Sequence, residues 1–304
     1  MNKKYLIAVV GPTAIGKTSL AIEIARHYNT EIISADSRQF YQEMEIGTAV
    51  PSKNELAAVK HHFIQHIPVK NDYSVGDFER DAMKLLKDLF AENDVVVMVG
   101  GSGLFVDAVI NGLDEFPEVP SSERELLKEQ WETNGIEFLQ AELKEKDPEY
   151  YSEVDLHNPQ RLIRALEICR STGLPYSSFR KKGVKNRFFE ALYIGLSADR
   201  EVVYDRINKR VDLMMEQGLL AEVKALEPQK ELNALNTVGY KELFRYLEGD
   251  WSLETAVAEI KKNTRRFAKR QFTWFRKNDK INWFDHSTSA GEILTFLDKE
   301  INRS

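Results

Sequence analysis

At 304 residues, with 30% charged and 42% hydrophobic residues, the chain is long enough for one sizeable core plus an inserted domain. No apolar run approaches a membrane span, and the first residues lead into a strand-like run without a signal-peptide pattern, so a cytoplasmic chain is expected. The single cysteine, Cys169, excludes an internal disulfide framework and a multi-cysteine zinc site, and its place among apolar helical positions reads as a core thiol.

Taken in order, the chain opens on an apolar strand pattern over residues 5–10. GPTAIGKT follows at residues 11–18, then a helical periodicity. This fits G-x-x-x-x-G-K-[ST], a turn whose backbone N–H groups surround phosphate oxygens. Gly11 and Gly16 permit the turn, and Pro12, Thr13, Ala14 and Ile15 carry its backbone. Lys17 supplies a positive charge, and the Thr18 hydroxyl can ligate Mg²⁺ shared with the phosphates. A second strand is expected over residues 31–35, followed by Asp36, Ser37, Arg38 and Gln39. Ser74 and Asp77 have the spacing of a helix start, and residues 95–99 form an apolar strand ending in Gly100-Gly-Ser-Gly-Leu104.

This β-α-β order predicts an α/β fold, a phosphate-loop-containing doubly wound parallel sheet, with Asp36, Gln39 and Ser102 on the same rim as Lys17. No acidic residue ends the apolar strand 95–99, which argues against a nucleotide-hydrolysing motor and leaves Asp36 as the nearest carboxylate. His61, His62 and His66 lack the Glu of an H-E-x-x-H motif and read as packing or substrate contacts rather than a metal site.

Composition changes over residues 116–186, where an acidic, helix-rich stretch is expected to form an inserted helical domain between core segments 1–115 and 187–304. Strand character returns at 188–196, and the last third reads as helical. It includes a long amphipathic helix over 253–276, with Val257, Ile260, Thr264, Phe267, Gln271 and Trp274 along one stripe and cations on most other positions. The net charge of −6 is unevenly distributed. Residues 114–155 hold 14 acidic against four basic residues, 180–187 hold five basic and no acidic, and 261–280 hold nine basic and one acidic. Two basic blocks on an acidic chain suggest a localised polyanion site, as against a solvated helix face. The aromatics among the last block are read as core more than as base-stacking platforms.

The phosphate loop, DSRQ at 36–39, IGTA at 46–49, GGSGL at 100–104 and PQRLIRALE at 159–167 occur in the order seen in one family. RINKR at 206–210, GLLAEV at 218–223, VGYKE at 238–242 and AKRQFTWFR at 268–276 continue it. Together they resemble the tRNA dimethylallyltransferase (tRNA isopentenyltransferase) family of the bacterial type. The resemblance implies transfer of a dimethylallyl group from dimethylallyl diphosphate to the exocyclic N6 amine of the adenosine 3′-adjacent to the anticodon, in tRNAs reading U-starting codons. It implies diphosphate binding by residues 11–18 with Arg210, Mg²⁺ at Thr18, and Asp36 as the base that takes the amine proton. Lys17, Thr18 and Arg210 would stabilise the leaving diphosphate.

By the same resemblance the tRNA-contacting set is Asp36, Ser37, Arg38, Gln39, Ser102, Arg124, Gln160, Arg161, Leu162, Ile163, Arg164, Asn236, Gly239, Lys241, Lys269, Arg270 and Arg276, with the inserted helices clamping the anticodon stem-loop. A monomer without membrane association is expected. Asp155-Leu-His-Asn158, Asn236 and the serine of Gly-Gly-Ser depart from the family's usual residues. A loop of this kind also suits ATP, which leaves a small-molecule kinase open. A prenyltransferase of free adenylate and a non-catalytic RNA-binding module stay open beside it.

Overall fold

The computed structural model describes residues 3–180, 183 and 185–303. The chain starts with β1 (Tyr5–Val10), α1 (Lys17–His27), β2 (Ile32–Ser34), α2 (Lys53–Ala58), β3 (His61–His62), α3 (Val75–Glu92), β4 (Val95–Val99) and α4 (Gly103–Asn111). The helices α5 (Ser121–Asn134), α6 (Ile136–Lys146), α7 (Pro148–Glu153) and α8 (Pro159–Thr172) come next. The rest is β5 (Glu190–Ser197), α9 (Arg200–Glu216), α10 (Leu219–Leu226), α11 (Tyr240–Leu247), α12 (Leu253–Phe275), β6 (Ile281–Asp285) and α13 (Ala290–Asn302).

The strands form one parallel sheet in the order β3-β2-β4-β1-β5-β6. All of β1 is buried, and its side chains alternate between two cores. Tyr5, Ile7 and Val9 pack with Leu20, Ala21 and Ile24 of α1 and with Ile293 and Leu297 of α13. Leu6, Ala8 and Val10 pack with Phe78, Ala82 and Leu86 of α3 and with Val106 and Val109 of α4. Helices on both faces explain why the strand is uniformly apolar instead of alternating. With β4 on one side and β5 on the other, the end of β1 delivers the phosphate loop to the middle of the sheet's C-terminal edge. The expected start of α3 is present: Ser74 accepts from the Asp77 N–H while the Asp77 side chain accepts from the Ser74 N–H.

Residues Asn111–Lys185 form a compact unit of their own, and Met1–Ile110 with Asn186–Ser304 form the other. The helical unit thus begins at Asn111 where the composition suggested 116. Its core comprises Leu127, Leu139, Leu143, Leu162, Ile163, Ala165 and Leu166. Leu162 and Ile163, expected among the tRNA-contacting residues, are at most 1% exposed. They face the neighbouring helices and are corrected to core. Cys169 is buried beside them on the same side of α8. In the larger unit, a third cluster unites α9 to α12 with Tyr41, Met44 and Val69, which anchors the loop preceding α2.

Candidate active site

The phosphate loop leaves β1 through Gly11, whose φ of +139° disfavours any side chain. A Cβ there would also lie 2.6 Å from the Leu196 carbonyl oxygen of β5, so the turn hugs the next strand. Gly16, with φ +109°, caps α1 and aims its first N–H groups back into the loop. Lys17 Nζ donates to the Pro12 carbonyl at 2.7 Å, and Arg206 Nε donates to the Ala14 carbonyl at 2.7 Å. Arg210, one turn further along α9, reaches the Thr13 hydroxyl at 3.4 Å. Lysine and two arginines therefore converge on one short loop. Burial, together with the Arg210 charge, pushes Lys17 down to about 8 despite the opposing Asp36 carboxylate. Burial and the Arg206 charge likewise lower Arg210. Cations held against burial and mutual repulsion are relieved by an incoming anion.

Asp36 lies just beyond β2, its carboxylate accepting from the Arg38 N–H at 3.1 Å. Burial raises its affinity for a proton, while the Arg38 N–H, Lys17, Arg38 and Arg210 pull the other way. A carboxylate lifted from its usual range is better matched to accepting a proton than an ordinary surface aspartate.

Two cavities meet at this carboxylate. The first, of about 700 Å³, is lined by residues 13–19 of the phosphate loop, by residues 45, 46 and 48–52 of the following loop, and by Arg210, Leu213, Met214 and Gln217 of α9 and its end. The second, of about 510 Å³, is lined by Ser37, Arg38, Ser102, Phe105, Asn236, Gly239 and Lys241, and by Thr264, Phe267, Arg270, Gln271 and Trp274 of α12. Thr13, Asp36, Gly101, Arg210 and Met214 line both. The first combines the phosphate loop and Arg210 with the apolar Ile46, Val50, Leu213 and Met214 and with Glu45, Glu55 and Glu222. The second carries aromatic and basic groups.

Several residues expected at the rim are held there by other protein groups. The Ser102 hydroxyl accepts from the Ser37 N–H at 3.1 Å and lies 3.2 Å from the Ser37 hydroxyl. Arg38 donates to the Asn233 and Ala234 carbonyls, and Gln39 donates to the Thr48 and Ala49 carbonyls. Both stitch the loops that wall the cavities. Lys269 on α12 and Arg276 just past its end are exposed and outside the second cavity's lining, with the Arg276 guanidinium stacked over Phe272.

In the helical unit, Gln160 and Arg161 are exposed on α8. Arg124 makes a paired contact with Glu167 at 2.7 and 3.0 Å, and Arg164 contacts the same carboxylate, so both cations are compensated internally. The basic block 180–187 is corrected likewise. Arg180 pairs with Glu153, Lys185 with Glu115 and Arg187 with Glu79, while Lys181 and Lys182 lie outside the described residues. The aromatic stripe of α12 also departs from the core expectation. Phe267 is 39% and Trp274 40% exposed, because their side of the helix faces the second cavity instead of a layer of protein.

Two positions carry more than their sequence suggested. Gln271 accepts from the Thr13 N–H at 2.8 Å and donates to the Gly101 carbonyl at 2.9 Å, joining the phosphate loop to the Gly-Gly-Ser-Gly turn. Its only signal was a polar residue within an apolar stripe. Glu222 accepts from the N–H groups of Glu45, Ile46 and Gly47 and from the Tyr240 hydroxyl, fixing the loop over the first cavity. Nothing local in the sequence marks that role.

His61 lines the first cavity, His62 pairs with Glu31, and His66 packs among Phe40, Phe63 and Tyr73. Among the described residues, no group of three His, Cys, Asp or Glu side chains is placed to hold a metal. A Mg²⁺ bound mainly by phosphate oxygens and water needs no such group, and Thr18 and Asp36, which both line the first cavity, carry the oxygen chemistry it prefers.

Residues 39–278 match the family model described as IPP transferase, a span that begins after the phosphate loop. The chain is 60% identical over 298 residues to the tRNA dimethylallyltransferase of Christiangramia forsetii, covering 98% of this chain and 99% of that one. It superposes on the full-length tRNA isopentenylpyrophosphate transferase of Bacillus halodurans with a TM-score of 0.74 at 36% identity, over 99% and 98% of the two chains. A eukaryotic dimethylallyltransferase acting on tRNA shares the fold, with a TM-score of 0.85 at 24% identity, over 99% of this chain and 80% of its own. The chain belongs to the IPP transferase family, with the tRNA dimethylallyltransferases as its relatives.

Proposed function

We propose that the protein transfers a dimethylallyl group from dimethylallyl diphosphate to the N6 amine of the adenosine 3′-adjacent to the anticodon, in tRNAs that read codons beginning with U. The observation that carries this reading is the meeting of two unlike cavities at Asp36, Thr13 and Arg210. The diphosphate sits on residues 11–18 with Arg210, its tail toward Leu213 and Met214. The adenine arrives through the aromatic and basic cavity, out of its stack.

An exocyclic aromatic amine is a weak nucleophile, since its lone pair is delocalised into the ring. As its nitrogen bonds to C1 of the dimethylallyl group, the C1–O bond breaks and that electron pair leaves on the diphosphate. Asp36 accepts the amine proton, for which burial has prepared it. Lys17, Arg210 and the loop N–H groups hold the charge that accumulates on the leaving oxygens. Thr18 would hold a Mg²⁺, which would supply Lewis-acid stabilisation to the same oxygens. Phe267, Trp274, Arg270, Lys241 and Asn236 contact the tRNA around the mouth, and Gln160 and Arg161 contact it from the helical unit. The protein acts as a monomer in the cytoplasm.

The test is incubation of the purified protein with dimethylallyl diphosphate, Mg²⁺ and unmodified tRNA, followed by nucleoside mass spectrometry. A prenylated adenosine confined to the anticodon loop is expected. ATP consumption with a phosphorylated small molecule and no prenylated nucleoside would replace the transferase by a kinase. Product on free adenylate alone would move the acceptor from RNA to nucleotide.

A further inference from the structure

On the side of α12 away from the cavity stripe, a shallow groove runs between α12 and α9. Arg200, Tyr204, Lys262, Arg265, Arg266 and Lys269 line it together with Asn208, and no carboxylate does. Helical geometry explains the separation. Positions 262, 265, 266 and 269 cluster on one side of α12, whereas 260, 264, 267, 271 and 274 share the opposite one. The groove is thus distinct from both cavities around Asp36.

Most of its charge has no acidic partner, unlike that of several other arginines of the chain. Arg80, Arg124, Arg164, Arg170, Arg180, Arg187 and Arg303 each sit against a carboxylate. Among the described residues, Arg200, Arg265, Arg266 and Lys269 have no such partner; only Lys262 does, in Glu259. Of the carboxylates on α9, Asp205 pairs with Lys209 and Asp212 with Lys261. The groove is also built. Arg200 and Arg265 both stack on the Tyr204 ring, at 5.0 and 5.6 Å, and Asn208 accepts from Arg265 at 2.7 Å. Guanidinium planes fixed in this way have lost rotamer freedom before any ligand arrives, which favours binding.

We infer that this groove holds the sugar–phosphate backbone of the tRNA at nucleotides other than the one that reacts, as a second RNA contact outside the catalytic cavity. A row of uncompensated cations matches the regular negative charge of a backbone. Lys269, at the groove's end, belongs to the 268–276 stretch that carries the family resemblance, so the groove extends that basic surface along α12. The inference rests on the proposed tRNA reaction.

The experiment compares the wild type with an Arg200→Gln/Arg266→Gln double variant. It measures tRNA affinity over a range of salt, pyrophosphate affinity without RNA, and turnover at saturating tRNA. The expected result is a roughly five- to tenfold weaker tRNA affinity and a salt-dependence slope reduced by about two, one for each phosphate no longer neutralised. Pyrophosphate affinity and saturated turnover stay at wild-type values, which also shows that the variant folds. Unchanged tRNA affinity and slope would overturn the inference and leave the groove a solvated face. Loss of binding to anionic phospholipid vesicles, with tRNA binding intact, would overturn it in favour of a membrane surface. Absence of a prenylated product from the wild type, in contrast, is a failure of the proposed reaction.

Discussion

The core of the helical unit and the cavities and groove of the larger unit treat positive charge differently. In the helical unit, Glu167 is 3% exposed and receives both Arg124 and Arg164, while Arg170 is held by Glu142 and Gln130. In the larger unit, Arg206 and Arg210 approach the phosphate loop with carbonyl and hydroxyl oxygens as their partners, and α12 carries Arg265, Arg266 and Arg270 without carboxylates. An arginine satisfied by a buried carboxylate contributes to architecture. One left with neutral partners in a cavity or groove is available to an external anion. Charge counts along the sequence cannot separate the two cases, as the block 180–187 shows: its described cations all have acidic partners.

The sharpest way to break this contrast is at Asp36, the one carboxylate shared by the two cavities. Asp36→Ala should lower turnover by about two orders of magnitude or more while tRNA affinity stays nearly unchanged. An equal loss of both would make Asp36 an anchor for RNA. Next in size is Lys17→Ala, expected to raise the KM for dimethylallyl diphosphate by about tenfold or more, since a charge-assisted contact disappears.

The same lysine makes a pH prediction. Its charge favours the anion and is lost from the ligand-free protein as pH rises through about 8, so pyrophosphate affinity measured by calorimetry should fall across that region. Lys17→Arg should remove this dependence, because arginine remains protonated. Gln271→Ala should raise the same KM by a smaller factor, roughly three- to tenfold, with tRNA affinity within about twofold, because two hydrogen bonds position the loop but neither meets the RNA. On the other side of the comparison, Glu167→Gln should cost about 1–3 kcal/mol of stability in denaturant unfolding and leave saturated turnover intact. A turnover defect there would mean that the paired arginines are functional after all.

Much of the site was legible because its chemistry is local. The spacing of Gly11, Gly16, Lys17 and Thr18 requires no distant partner, and a strand before it and a helix after it suffice to aim the backbone N–H groups. Asp36 and Ser102 could be placed on the rim because parallel sheets bring the C-terminal ends of their strands together. Leu162 and Ile163 went the other way. They lie between Arg161 and Arg164 in the chain, yet both fall within the buried arc of α8, which Arg161 does not share.

The sequence by itself determined the parallel α/β core, the phosphate loop and the helical insertion, since these follow from hydrophobic period, glycine placement and short-range spacing, while the ordered series of motifs carried the resemblance to the family. The tertiary structure alone decided which cations have acidic partners, that Phe267 and Trp274 face a cavity, and that Gln271 and Glu222 hold loops distant from them in the chain. The reason is physical. Backbone propensities act over a turn or two of helix, whereas ion pairing and desolvation depend on neighbours that only packing brings together.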